Sequence, residues 1–146
     1  MPPDSEDATF SLSSALRRTG VVVRTGFRSA GPGQASSQWF EREERRHGRR
    51  STLSWTTDKD CPAAASAYRS IDAIELPRLT SPNPEVITVM ADGSWYTLER
   101  DAYYETDGVV GRIRLGSNVG TSLALWVDSM MAALQPCWTQ KRPPSG

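Results

Sequence analysis

The feature of this chain that most constrains its fold is a series of short β-rich runs separated by turn-forming residues. In residues 51–57, for example, Leu53 and Trp55 share one face while serine and threonine occupy the other, which is the alternation of a half-buried strand. The runs cover residues 19–27, 38–43, 51–57, 85–91, 94–99 and 109–115, with a further short strand expected at Tyr103 and Tyr104. The pattern predicts an antiparallel sheet.

Turn-forming residues predict which of these strands are neighbours. Asp92-Gly93 is typical of a type I′ turn, whose two central residues need positive φ, so residues 85–91 and 94–99 are predicted to form a hairpin. Gly48 lies in the charged connection 44–50 and predicts a second hairpin between residues 38–43 and 51–57. Residues 12–18 are expected to form one helical turn.

Two later segments have the period of a helix instead. In residues 61–75, Pro62 fits a first turn, and apolar residues recur every three or four positions. In residues 121–135, Thr121 is a suitable N-cap, and Leu123, Trp126, Val127, Met130 and Leu134 form one apolar stripe. We therefore predict an α+β domain: an antiparallel sheet of N-terminal strands plus a C-terminal meander, packed by two helices.

The two cysteines lie at the ends of these helical segments, Cys61 before the first and Cys137 after the second. An even pair at two element ends predicts a disulfide that pins the helices together, worth about 4–5 kcal/mol for so long a loop. The alternative is two independent thiols. A disulfide favours a periplasmic or extracellular location with the leader removed; without one we expect a cytoplasmic protein, because no secretory signal pattern is present.

Length and charge limit the function classes. A chain of 146 residues predicts one domain, which we place at residues 10–138 between disordered tails at 1–9 and 139–146. Its 17 basic residues balance 17 acidic ones, so the overall charge does not indicate a nucleic-acid binder. No apolar run approaches the roughly 20 residues of a membrane span.

Motifs for catalysis, metal ions and cofactors are absent from the sequence, and no catalytic residue, metal ligand or cofactor is predicted. The single histidine, His47, lies in a cluster of arginines and is interpreted as an exposed loop residue. The carboxylates Glu99, Asp101, Glu105 and Asp107 lie among aromatic residues, and a small hydrolase-like enzyme using them is one alternative. A solvated hairpin edge is the simpler interpretation.

The most unusual local composition is residues 41–50, where five arginines and His47 accompany three glutamates. Arginine and tryptophan are enriched in interface hot spots, so we expect a non-enzymatic binding or inhibitor module that acts through a protein partner. A nucleic-acid binder using the same hairpin is a second alternative, and cross-strand Arg–Glu pairs in water are the simplest interpretation. The expected binding residues are Arg42, Arg45, Arg46, Arg49, Arg50, Trp39 and Trp55.

Overall fold

The computed structural model describes residues 5–29, 31–77, 85, 93–103, 108 and 110–142. The strands are β1 (Ser5–Ser14), β2 (Thr19–Arg28), β3 (Ser37–Arg46), β4 (Thr52–Thr57), β5 (Ser94–Tyr103) and β6 (Val110–Ser117). The α-helices are α1 (Pro62–Tyr68), which lies between β4 and β5, and α2 (Ser122–Leu134), which follows β6. Each helix continues into a short 3-10 helix, Arg69–Ala73 after α1 and Gln135–Cys137 after α2. The predicted α+β class is confirmed.

The strands form one antiparallel sheet in the order β4-β3-β2-β1-β5-β6. The hairpin of β3 with β4 is confirmed. The hairpin predicted between residues 85–91 and 94–99 is wrong as a pairing, because β5 lies between β1 and β6 and residues 96–100 pair on both sides. Apart from Glu85, the predicted strand at 85–91 lies outside the described residues. Tyr103 ends β5 instead of forming a separate strand, and Tyr104 is not among the residues described.

One face of the sheet is packed by the helices, and we call it the helix face; the other is the open face. Cross-strand partners place Phe10, Val23 and Leu98 in one row of the helix face. The ring of Trp126 from α2 meets Phe10 edge to face, with centroids 5.1 Å apart. The fully buried side chains include Phe10, Phe40, Val23, Val127, Met130 and Leu134. Burial of this apolar surface is what holds the helices on the sheet.

The disulfide between Cys61 and Cys137 is present, with Cα atoms 5.7 Å apart. Cys61 is the N-cap of α1, and Cys137 ends the 3-10 helix after α2. The link therefore joins the start of one helix to the end of the other, as predicted. Thr121 caps α2 by accepting a hydrogen bond at Oγ1 from the backbone N–H of Ala124 (3.1 Å).

Some residues predicted to lie in the two tails pair with the sheet instead. Strand β1 begins at Ser5 and alternates buried Ala8 and Phe10 with more exposed residues, so residues 5–9 belong to the sheet. The helical turn expected at residues 12–18 is also wrong, because residues 12–14 continue β1. At the other end, Thr139 exchanges two backbone hydrogen bonds with Trp55 and covers the outer edge of β4 there.

Candidate functional site

The two tryptophans predicted to bind a partner lie on the open face, each half-buried. Trp39 lies across Gly26 of β2, where an added Cβ would come within 2.8 Å of the indole ring. The indole N–H of Trp55 donates to Glu41 Oε2 at 3.0 Å. Both rings are therefore already packed or hydrogen-bonded within the sheet surface.

Arg42 is on the other side of the sheet. Its Nε donates to Ser54 Oγ at 3.0 Å, and its guanidinium lies 4.9 Å from the centroid of the Trp138 ring. Alternation along β3 puts Arg42 on the helix face while Trp39 is on the open face. The structure thus separates Arg42 from Trp39 and Trp55.

The charges of β2 and β3 on the open face pair with one another. Arg24 contacts Glu41 at 3.1 Å and Glu43 at 3.3 Å, and Arg45 contacts Glu43 at 2.8 Å. The hydrogen bonds from Arg45 are the main reason that the pKa of Glu43 falls from 4.5 to about 2. Arg24 pairs with β3 from β2, and Arg45 pairs with Glu43 along β3 itself, so these pairs are not the cross-strand ones expected within the 41–50 hairpin. They neutralise the middle of the open face.

The remaining arginines collect at one end of the sheet, where the β1–β2 and β3–β4 turns lie side by side. The backbone N–H of His47 donates to the carbonyl of Arg18 at 3.1 Å, and Thr19 pairs with Arg46. This brings together six arginines and two glutamates, a net charge of four positive. We call this group the basic end; it comprises Arg17, Arg18, Glu43, Glu44, Arg45, Arg46, Arg49 and Arg50.

Within the basic end, the glutamates compensate only two of the cations. Arg46 pairs with Glu44 at 2.8 Å, and Arg45 pairs with Glu43. Over the described ranges, the exposed residues Arg17, Arg18, Arg49 and Arg50 make no ion pair. Sequence reasoning missed Arg17 and Arg18; the alternation of Phe10 and Leu12 with serine and threonine in β1 is the signal that could have found them.

Three large apolar side chains are exposed at the same end of the sheet as these cations. Leu16 in the β1–β2 turn is 78% exposed, and Leu53 and Trp95 are exposed on the open face. One cross-strand row runs from Arg45 through Gly20 and Ser13 to Trp95, and the indole of Trp95 lies over Gly116 of β6. The basic end therefore presents cations and apolar groups together.

A cleft of about 700 Å³ lies at the opposite end of the sheet, on the helix face. It opens between the segment that follows α1 and strands β5 and β6. Its apolar lining is supplied mainly by Ile71, Ile74, Leu76, Leu98, Ile113 and Leu115. Sequence reasoning did not find this cleft, because its walls come from segments far apart in the chain.

Charged residues border the cleft, and acidic ones predominate. Arg100 contacts Asp72 at 2.8 Å and Asp7 at 3.7 Å. The hydroxyl of Tyr68 donates to Asp7, and burial, followed by this hydrogen bond, raises the pKa of Tyr68. On the open-face side, Arg112 pairs with Glu99, Asp101 and Glu6. Of the charged residues that line the cleft within the described ranges, four are acidic and one, Arg100, is basic, a net charge of three negative; we call this cleft with its ion pairs the acidic cleft.

The carboxylates considered for a hydrolase are only partly described. Glu99 and Asp101 both pair with Arg112, at the border of the acidic cleft. Glu105 and Asp107 lie outside the described residues. In the described ranges no three histidine, cysteine or acidic residues are grouped so that they could hold a metal ion.

Comparisons with known proteins identify no relative: no family model, no curated protein and no solved structure matches this chain. Among the helices of the described residues, none is long and apolar enough to cross a membrane. The candidate site thus stands on its geometry, with a basic end and an acidic cleft at opposite ends of one sheet.

Proposed function

We propose that this protein is a non-enzymatic binding module whose basic end binds an acidic segment of a partner protein. The observation that carries the proposal is the meeting of two arginine-bearing turns at one end of the sheet, where four exposed arginines have no ion-pair partner among the described residues. Such a concentration of positive charge attracts acidic segments and increases the rate at which they associate with it.

A protein partner is favoured over a nucleic acid by what accompanies the arginines. Leu16 and Leu53 are exposed beside the cations and Trp95 is exposed at the same end of the sheet, and arginine with large apolar groups is the composition of a protein interface. An acidic peptide with interspersed leucines can contact both kinds of group.

The test compares two probes of equal negative charge, a fluorescent Asp/Glu-rich peptide that contains leucines and a single-stranded oligonucleotide. Fluorescence anisotropy at low salt should show the peptide binding more tightly than the oligonucleotide. Arg49→Glu combined with Arg50→Glu should weaken peptide binding by about tenfold or more, because repulsion replaces attraction at two positions. Both residues lie in an exposed turn, so the fold should survive.

The matched control changes net charge equally at exposed arginines elsewhere, Arg69→Glu combined with Arg114→Glu. It should weaken peptide binding by no more than about twofold, since these charges lie away from the basic end. Preference for the oligonucleotide would replace the proposal with nucleic-acid binding. Absence of binding to either probe at low salt, or equal losses in the two double variants, would also overturn it.

A further inference from the structure

We infer that the acidic partner of the basic end is a second copy of this chain, whose acidic cleft receives the β1–β2 turn. This inference rests on the proposed function, because it names the partner of the same site. The resulting contact is head to tail and joins two different surfaces, so each copy can bind a further one, in a closed ring or an open chain.

Charge complementarity is the first reason. The basic end carries four net positive charges and the acidic cleft three net negative ones. Strands such as β1 are ten residues long, so about 30 Å separates the two ends within a molecule. This exceeds the Debye length of about 8 Å at physiological salt, and the two ends of one copy therefore neutralise each other little. The basic end of one copy can neutralise the acidic cleft of a neighbouring copy when the two are in contact.

The chemistry of the turn is the second reason. Leu16 projects from it with 78% exposure and is followed directly by Arg17 and Arg18. The acidic cleft offers the complementary arrangement, an apolar lining of leucine and isoleucine bordered by carboxylates such as Asp72, which is 82% exposed. An apolar side chain flanked by two cations thus meets an apolar cavity flanked by anions.

The experiment uses two full-length variants that each disable one side of the contact. Leu16→Glu with Arg17→Glu disables the turn, and Asp72→Lys with Ile113→Lys disables the cleft. All four positions are exposed, and circular dichroism verifies that each variant is folded. Leu125→Glu, on the exposed side of α2, is the matched control.

Sedimentation velocity at low salt should show the natural sequence assembling to a greater extent as its concentration rises and dissociating in high salt. Each disabled variant should be monomeric alone. Mixed in equal amounts, they should form dimers that grow no further, since one intact cleft meets one intact turn. Leu125→Glu should associate like the natural sequence.

A natural sequence that stays monomeric at every concentration, or disabled variants that do not combine when mixed, would overturn this inference. The cleft-disabled variant keeps its basic end, so its binding of the acidic peptide tests the proposed function separately. Peptide binding without self-association would refute only the inference about the second copy. Loss of both would refute both proposals.

Discussion

Removing the disulfide should cost this fold a large part of its stability. Cys61 and Cys137 are 76 residues apart, so the link closes more than half of the chain into a loop. In the chain-entropy model a loop of this length restricts the unfolded state by about 4–5 kcal/mol. Small domains have unfolding free energies of about 5–15 kcal/mol, so the protein without the link should be marginally stable.

The perturbation is the double variant Cys61→Ala with Cys137→Ala, compared with the natural sequence under oxidising and reducing conditions. Urea unfolding followed by tryptophan fluorescence should show the unfolding free energy fall by about 4–5 kcal/mol. The midpoint of thermal unfolding should drop by about 10–20 °C. The reduced natural protein should match the double variant, because both lose the same constraint on the unfolded chain. Reductant should leave the double variant unchanged.

The slope of the urea dependence separates this mechanism from a local packing effect. An unfolded chain without the link is more expanded, so the slope should rise when the disulfide is reduced. A loss below about 1 kcal/mol with an unchanged slope would refute the reasoning, because the link would then not restrict the unfolded chain. A large loss in the double variant that reduction does not reproduce would instead assign the cost to packing at Cys61, which is 1% exposed.

Three further predictions concern single side chains. Glu43→Gln should lower the unfolding free energy by up to about 1 kcal/mol at neutral pH. Because the pKa of Glu43 in the folded protein is lowered to about 2, this contribution is present above pH 4.5 and is lost as the pH falls toward 2. Unfolding free energies from urea titrations of the two proteins should therefore converge near pH 2, and a difference that persists there would contradict the assignment. Gly26→Ala should destabilise the fold by several kcal/mol or prevent folding, since the added Cβ would lie 1.9 Å from the Ser5 carbonyl oxygen. The control Gly20→Ala should be tolerated, because its Cβ would lie 3.9 Å from its nearest neighbour. Equal thermal unfolding midpoints for the two variants would refute this prediction. Thr121→Ala should cost about 1 kcal/mol in urea unfolding through loss of the N-cap of α2, and Thr121→Ser should retain most of it.

Local patterns predicted the elements that have strong local signals. The apolar stripe from Leu123 to Leu134 and the cap at Thr121 predicted α2, and the placement of Cys61 and Cys137 at helix ends predicted the disulfide. These features depend on spacing within one segment or on two special residues. These predictions are correct because the tertiary contacts stabilise the same local structures that the sequence favours.

The order of the strands could not be predicted in the same way. Asp92-Gly93 is a genuine turn signal, and Gly93 has the positive φ of 65° that such a turn uses, yet β5 pairs with β1 and β6. A turn pattern predicts the backbone angles of two residues. The neighbours of β5 depend instead on where the chain rejoins the sheet after α1. That information is distributed over the whole chain.

Strand β1 escaped prediction because its alternation of apolar and polar residues covers only Ala8 to Ser13. Only Ala8, Phe10 and Leu12 mark the helix face, and serine and threonine fill most of the remaining positions. Its first residues are acidic and resemble a solvated tail. These residues nevertheless form a strand, because β2 and β5 hydrogen-bond to β1 on both sides.

The consequence of missing β1 is that the charge at the end of the sheet was undercounted. In an antiparallel meander, the connection between the first and second strands lies at the same end as the connection between the third and fourth. Charges in alternate connections therefore add, and Arg17 and Arg18 of the β1–β2 turn join Arg49 and Arg50 of the β3–β4 turn. A chain of zero net charge can in this way carry strong opposite charges at its two ends. Adding the charges of every second connection would have located the basic end from the strand boundaries alone. The acidic cleft also requires knowing that β5 pairs with β1.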